Sequence, residues 1–232
     1  TCALPIYLND SVSALLDAPP LPVGTHADEN TPEALAELYQ AALQDFAKAL
    51  QKPVASQELD RLETRPLFVL LKALAQTLGL PTQPEKLLEE LVYHERQFWR
   101  TLLPEHAYLQ DEVLPDVHRL VAAVTLRGGT RSEQELKAVF ERLELVPELS
   151  LTLALSFMRR VYPGGGPLHV RPVEPDLLGA ELIRQVLLKP GTEHLLEPAL
   201  ADNDADSLAT AFRLLEDIGQ ESPAPCGTAL DK

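Results

Sequence analysis

The sequence contains few aromatic and few sulfur-containing residues. Phe, Trp and Tyr make up 5% of the 232 residues, and there are two Cys, one Met and one Trp. Cys2 and Cys226 lie near opposite ends of the sequence, which provides no disulfide framework and suits a reducing cytoplasm. No run approaches the roughly 18 apolar residues of a membrane span, and no basic-then-apolar segment predicts a secretory signal. We therefore expect a cytoplasmic protein without a membrane partner.

Basic charge is also scarce. The formal net charge is −15, from 20 Lys and Arg against 35 Asp and Glu. A protein that holds nucleic acid needs a basic face toward the phosphates, so this balance disfavours nucleic acid as a partner. The acidity is uneven, because residues 113 to 189 contain ten Lys or Arg and nine Asp or Glu, a net of +1.

Leu and Ala at helical spacing dominate the apolar positions, which favours helices packed on helices. Prolines and capping residues mark the helix starts. We predict helices from Thr31 to before Pro53, Pro66 to Leu78, Pro84 onward, Val113 to Leu126, from the capping box Ser132-x-x-Glu135, about Ser150 to Val161, Asp176 to about Leu188, and over residues 205–218.

The order of these segments predicts a mainly α fold in several parts. Residues 1–30 read as a connection, and 31–110 as a helical bundle. Residues 111–190 combine three helices, a short strand pair or ribbon around Leu168–Val173 and a closing helix, which is the pattern of a winged-helix domain. Residues 191–232 contain the start of a helical repeat or a linker.

The opening TCALPIY has no initiator Met and resembles a translated sequencing adapter, so we expect the chain to be part of a longer protein.

Two short motifs are partly similar to a zinc-binding motif and to a phosphate-binding loop, but both lack residues that these sites require. His94-Glu95 would need a second His one helical turn later to bind zinc, and that position is Phe98. The three glycines in YPGGG are followed by Pro167 and Leu168 rather than by the Lys and hydroxyl residue of a phosphate-binding loop, so they predict a turn. The sequence contains no catalytic motif, and we assign neither catalytic nor metal-binding residues.

In a winged-helix domain the third helix would read DNA, and in this sequence that helix is LSLTLALSFMRRV. Its exposed positions offer Leu, Thr, Ala and Ser, and only Arg159 and Arg160 at its end could contact DNA. DNA reading is therefore disfavoured. A winged-helix transcription regulator with a helical dimerisation domain stays open as the alternative function.

Several stretches resemble one protein family. His94-Glu95-x-x-Phe98-Trp99, the helix ending TLRGG, and YPGGG-x-LHVRPVEPDLLGAEL are similar to the region that follows the nucleotide-binding core in bacterial STAND-class P-loop NTPases, relatives of the NB-ARC switches. The resemblance covers roughly residues 31 to 200. It implies a helical lid at 31–110, a winged helix at 111–190, and tetratricopeptide-like repeats after residue 190.

The resemblance also implies a function. In that family the core binds ATP or ADP with Mg, the lid and winged helix close over the nucleotide, and the repeats sense a signal. The partner implied for this chain is the nucleotide-binding domain of the same polypeptide, with oligomerisation on activation. The Walker motifs do not occur in these residues, so we expect no cofactor on this chain itself, and ATPase activity would belong to the full-length protein.

The resemblance places two residues toward the nucleotide domain, Arg171 and Asp176. Plant-type relatives have a Met-His-Asp motif at the end of the winged helix, and Asp176 matches its Asp, whereas Pro175 occupies the position of the His. Sensing of the phosphate by a His is therefore not implied. From the local sequence alone, Asp176 is interpreted as the N-cap of the closing helix, with its carboxylate on the first-turn amides.

Overall fold

The computed structural model describes residues 31–54, 65–103, 107–189, 195–201 and 204–221. These residues form a mainly α-helical fold, which confirms the predicted fold class. In chain order the helices are α1 (Pro32–Ala49), α2 (Pro66–Leu78), α3 (Pro84–Leu102), α4 (Ala107–Leu126), α5 (Glu133–Arg142), α6 (Leu151–Val161), α7 (Asp176–Leu187), α8 (Leu196–Leu200) and α9 (Ala205–Glu221). Within the described ranges, none of these helices combines the length and the apolar character that crossing a bilayer demands.

The first two helices begin where the local sequence predicts. The Thr31 side chain caps α1 by accepting a hydrogen bond from the Ala34 backbone N–H at 3.2 Å, and Pro32 takes the first helical position. Helix α2 has the predicted bounds and ends at Gly79. These ends were predictable because each cap depends on residues within one helical turn.

Helix α4 is longer than the sequence predicts. It begins at Ala107 rather than Val113 and continues through Pro115. A proline inside a helix removes one backbone donor. That loss is offset here because Val113, Leu114 and Val117 on either side of the proline are buried.

The strand predicted over Leu168–Val173 is absent from the structure. The described residues contain only isolated antiparallel bridges, which pair Val170 with Thr130 and with Pro163. Pro172 follows two residues after Val170 and has no backbone N–H to extend a ladder. The prediction of a short strand pair or ribbon was therefore wrong, although the chain does return to pair at Val170.

The described residues group into two compact units, with the boundary between Leu91 and Val92, inside α3. In the first unit α1 packs against α2. The core of this unit consists of apolar side chains that include Tyr39, Leu43, Phe46, Val69 and Leu74. The domain limits predicted at residues 30, 110 and 190 stay predictions, and the connection predicted over residues 1–30 lies outside the described residues.

In the second unit α4 is central and packs against α5, α7, α8 and α9, while α7 packs against α9 and α5 against α6. Helices α4 and α7 approach closely at Gly179, where an added Cβ would lie 2.9 Å from Thr125 Cγ2 and 3.1 Å from the Val173 carbonyl oxygen. The absence of a side chain at Gly179 is therefore what allows this packing.

Candidate functional site

A carboxyl group lies inside the second unit. Glu95, on α3, has 4% of its surface exposed, and Trp99, one turn later on the same helix, is fully buried. The Tyr162 hydroxyl donates to Glu95 Oε1 at 2.9 Å, and the Trp99 indole N–H lies 3.2 Å from the same oxygen. The indole N–H is also 3.1 Å from the Tyr162 hydroxyl oxygen. The three groups therefore form a closed triangle of hydrogen bonds that joins α3 to the end of α6.

The backbone around the glycine turn holds Tyr162 in place. Tyr162 is the C-cap of α6, where its N–H bonds to the Met158 carbonyl at 2.9 Å, and its own carbonyl accepts from the Arg171 N–H at 3.2 Å. Between these bonds the chain reverses through the three glycines. A Cβ on Gly164 would collide with the Leu168 carbonyl oxygen, so the turn requires glycine there.

Burial dominates the protonation of this cluster. Loss of solvent raises the pKa of Glu95 from 4.5 to about 7, although the hydrogen bonds from Tyr162 and Trp99 act in the opposite direction. The pKa of Tyr162 is raised well above its ordinary value, first by burial and then by the neighbouring Glu95 charge. Glu95 Oε2 is buried and has no hydrogen-bond partner among the described residues. Glu95 thus titrates close to neutral pH inside the core.

His118, on α4, is the second buried titratable group of this region. It is fully buried, and its ring packs edge-on against Trp99 with centroids 5.8 Å apart. The His118 Nε2 atom lies 3.2 Å from the Leu182 carbonyl oxygen on α7. Because a carbonyl oxygen only accepts hydrogen bonds, this contact requires the proton on Nε2. The buried Nδ1 atom has no hydrogen-bond partner in the described part of the chain. Burial, followed by the charges of Arg96 and Lys189, lowers the pKa of His118 to about 3.

We name Glu95, Trp99, His118 and Tyr162 the buried polar cluster. It connects four helices of the second unit, since His118 reaches α7 and Tyr162 reaches α3. Within the part of the chain that the structure describes, no three His, Cys, Asp or Glu side chains lie close enough to hold a metal ion. The arrangement links the protonation of a buried acid and a buried imidazole to the packing of the unit, because both groups are held in place by neighbouring helices.

The motif His94-Glu95 suggests His94 as a zinc ligand, whereas the residue of this pair that is buried in the cluster is Glu95. His94 is half-buried on α3, and Phe98 occupies the position that a second zinc ligand would need. A signal for Glu95 did exist in the sequence. Leu91, Glu95 and Trp99 recur at intervals of four, so Glu95 interrupts an apolar helical stripe at a position that faces the core.

The family resemblance selects Arg171 and Asp176, and in the structure both lie near a helix end or a turn. Asp176 is the first residue of α7, whose N-cap is Pro175 without a side-chain cap, so the interpretation of Asp176 as the N-cap is wrong. The Asp176 carboxylate instead pairs with Arg213 of α9 at 2.9 Å. The Arg171 guanidinium lies against Gly165, at a distance that a Cβ on Gly165 would not allow. Their predicted position toward a nucleotide domain stays a prediction.

Comparison with known proteins gives no match. No family model matches the chain, and no curated protein or solved structure shows significant similarity to it.

Proposed function

We propose that this chain is the regulatory lid and winged-helix part of a STAND-type NTPase, in which it couples the ATP or ADP state of a nucleotide-binding core to domain rearrangement. The observation that carries the proposal is the order of elements in the second unit. Helix α4 leads to Thr130, α5 and α6 follow, and the chain then passes Pro163 and returns through Val170 to α7. This order of helices and paired segments resembles that of a winged helix, with Val170 in the middle position and isolated bridges in place of regular strands.

The backbone bonds at Val170 support this topology. The Thr130 N–H donates to the Val170 carbonyl at 2.9 Å, and the Val170 N–H donates to the Thr130 carbonyl at 3.1 Å. On the other side, the Arg171 N–H donates to the Tyr162 carbonyl at 3.2 Å. The segments at Thr130, Val170 and Pro163 therefore lie side by side, with Val170 between the other two. Both pairings are antiparallel.

The contacts of Asp176 and Glu95 support a coupling role. The ion pair of Asp176 with Arg213 joins the start of α7 to α9, and both side chains are about half exposed, at 48% and 59%. An exposed pair of this kind is worth at most about 1 kcal/mol, so a competing partner could open it at small cost. The bonds from Glu95 to Tyr162 join α3 to the glycine turn, which provides a second, buried connection between the predicted lid and the wing.

The test of the proposal is nucleotide titration by calorimetry. We expect the 232-residue chain to show no micromolar binding of ATP or ADP, because it lacks the Walker lysine and hydroxyl residue. The full-length NTPase that the proposal implies should bind both nucleotides. In that protein, hydrogen exchange over residues 171–176 should differ between the ATP and ADP states. Micromolar ATP binding by the 232-residue chain, or an upstream sequence without a Walker motif, would contradict the proposal.

The alternative, a winged-helix transcription regulator with a helical dimerisation domain, uses the same order of elements. It requires Arg159 and Arg160 to face DNA, but Arg159 is paired with Glu133 of α5. An acidic side chain beside the reading helix repels phosphate, which favours the regulatory proposal. Salt-dependent binding of duplex DNA that is lost on Arg159→Ala with Arg160→Ala would reverse this preference.

A further inference from the structure

Helices α5 and α6 form a groove on the surface of the second unit. Its volume is about 620 Å³. The residues that determine its chemistry are Glu133 and Lys137 from α5 and Leu151, Leu155, Arg159 and Arg160 from α6. We name this surface the α5–α6 groove. The buried polar cluster, Arg171 and Asp176 are not among these six side chains.

The groove carries more positive than negative charge. Glu133 pairs with Lys137 at 2.9 Å and also with Arg159, so one carboxylate is shared between two cations. Arg160 is exposed and has no hydrogen-bond or ion-pair partner among the described residues. Three cations and one acid give the groove a net charge of +2. This contrasts with the net charge of −15 of the whole chain.

Two leucines give the groove an apolar floor. Leu151 and Leu155 are half-buried and lie one turn apart on α6. Their separation along the helix is about 6 Å, which equals the spacing of side chains at i and i+4 on a partner helix. From Leu151 to Arg160 the surface of α6 extends about 14 Å, which is enough for about two and a half turns of a docked helix.

We propose that the α5–α6 groove binds an acidic amphipathic helix of a partner protein. Apolar side chains of the partner pack on Leu151 and Leu155, and its carboxylates pair with Arg160 and with the incompletely neutralised Lys137 and Arg159. Charge complementarity selects this partner, since the groove is a basic surface on an otherwise acidic protein. The inference stands independently of the nucleotide switch, because it depends only on the side chains of the groove.

Nucleic acid fits this groove less well than an acidic helix does. Base reading needs Asn, Gln, Arg or Lys along the exposed face of a helix, and here Leu151, Thr152, Leu155 and Ser156 occupy that face. A phosphate backbone has no apolar side chain for the leucines to cover.

The experiment measures fluorescence anisotropy of labelled probes with the 232-residue protein. The main probe is a helical peptide of about 14 residues made of Glu, Ala and Leu, with leucines at i and i+4. A peptide with Lys in place of Glu, and a DNA duplex of about 20 base pairs, serve as comparison probes. We expect micromolar binding of the acidic peptide, binding at least about tenfold weaker for the other two probes, and loss of binding as salt screens the charges.

Four substitutions locate the site through effects of different sign. Arg160→Glu should weaken binding of the acidic peptide about tenfold, and Leu155→Ala about fivefold. Glu133→Gln should strengthen binding about threefold, because it frees Lys137 and Arg159 for the partner. The matched control is Arg142→Glu, which makes the same charge change on α5 outside the groove and should alter binding less than about twofold.

Each other result overturns the proposal. Absence of peptide binding, equal binding of the Lys peptide, or equal effects of Arg160→Glu and Arg142→Glu would show that the groove has no acidic-helix specificity. Tighter binding of the duplex, lost on Arg160→Glu, would assign the groove to nucleic acid instead. Circular dichroism of each variant confirms that folding is unchanged, and Glu133→Gln adds a gain of binding that misfolding cannot produce.

Discussion

The cores of the two units differ in their chemistry. Between α1 and α2 the buried side chains are apolar apart from Lys72 and Thr77, and the Thr77 hydroxyl donates to the Ala73 carbonyl of its own helix at 2.8 Å. The second unit buries Glu95 and His118 together with other polar and charged side chains, namely Asp116, Thr125, Arg127, Thr130 and Glu181.

The contacts of these polar groups explain the difference. Arg127 donates to the carbonyls of Ala199 and Ala201 at 3.1 and 2.7 Å, and so holds α8 against α4. Asp116 accepts from the Val146 N–H at 2.5 Å and fixes the segment between α5 and α6. The core of the first unit is formed by apolar faces of α1, α2 and the start of α3. The second unit also contains the short helix α8 and several turns, whose backbone groups must find partners inside the protein, and buried polar side chains provide them.

Trp99→Ala should have the largest effect on the second unit. The substitution removes a fully buried side chain and the hydrogen bonds of the indole to Glu95 and Tyr162. We expect a loss of about 5 kcal/mol in unfolding free energy, measured by urea denaturation with circular dichroism. Leu43→Ala in the first unit is the control, with a cost of about 3 kcal/mol. A cost for Trp99→Ala below that of Leu43→Ala would contradict the importance of the cluster.

Glu95→Gln should change how stability depends on pH. The pKa of Glu95 is raised from 4.5 to about 7 in the folded protein, so its contribution is fully present below pH 4.5 and is lost as pH rises to about 7. At about 1.4 kcal/mol per pH unit the loss is about 3 kcal/mol, which Gln should abolish. The protein contains one tryptophan, so the fluorescence of Trp99 should report the same titration. A fluorescence midpoint that persists near pH 7 in Glu95→Gln would refute the assignment.

His118→Gln should reveal the opposite dependence. The pKa of His118 is lowered from 6.5 to about 3, so its contribution is present above pH 6.5 and is lost as pH falls toward 3. Between pH 6.5 and pH 4.5 this loss is about 3 kcal/mol, and it opposes the change due to Glu95. In His118→Gln the stability of the second unit should therefore fall with rising pH, and in Glu95→Gln it should fall with falling pH. Parallel profiles for the two variants would contradict this account.

Asp176→Ala should have the smallest effect on stability. Its pair with Arg213 is half exposed, so we expect a loss of about 0.5 kcal/mol in thermal or urea unfolding. The comparison is Asp116→Ala, which removes a buried carboxylate bound to Arg119 at 3.1 Å and to the Val146 N–H, and should cost about 2 kcal/mol. If Asp176→Ala costs as much as Asp116→Ala, Asp176 serves the fold rather than a partner.

Much of the fold is predictable because its signals are local. Thr31, Ser132 and Ser150 each accept a hydrogen bond from a backbone N–H three residues later, and each begins a helix where the sequence indicates. The wrong predictions concern positions where local signals compete with packing. The start of α4 is predicted at Val113, but the helix begins at Ala107 and continues through Pro115, whose buried neighbours offset its missing donor. Asp176 is the first residue of α7 rather than its N-cap, and its carboxylate pairs with Arg213.

The candidate site was predictable only in part. The position of Glu95 on an apolar helical stripe indicates that it faces the core, but its partner Tyr162 lies 67 residues later in the chain. No spacing rule connects residues so far apart. The same holds for His118, whose contact on α7 lies 64 residues later.

The sequence by itself determined the mainly helical fold, the helix ends set by caps and prolines, and the turn at the three glycines, because each depends on interactions within a few residues. The tertiary structure alone decided which polar groups became buried together. Burial raises the pKa of Glu95 to about 7 and lowers that of His118 to about 3, and these shifts arise from solvent excluded by distant helices. It also decided that Glu133 would be shared between Lys137 and Arg159 while Arg160 stays exposed, because that arrangement requires α5 and α6 to lie side by side.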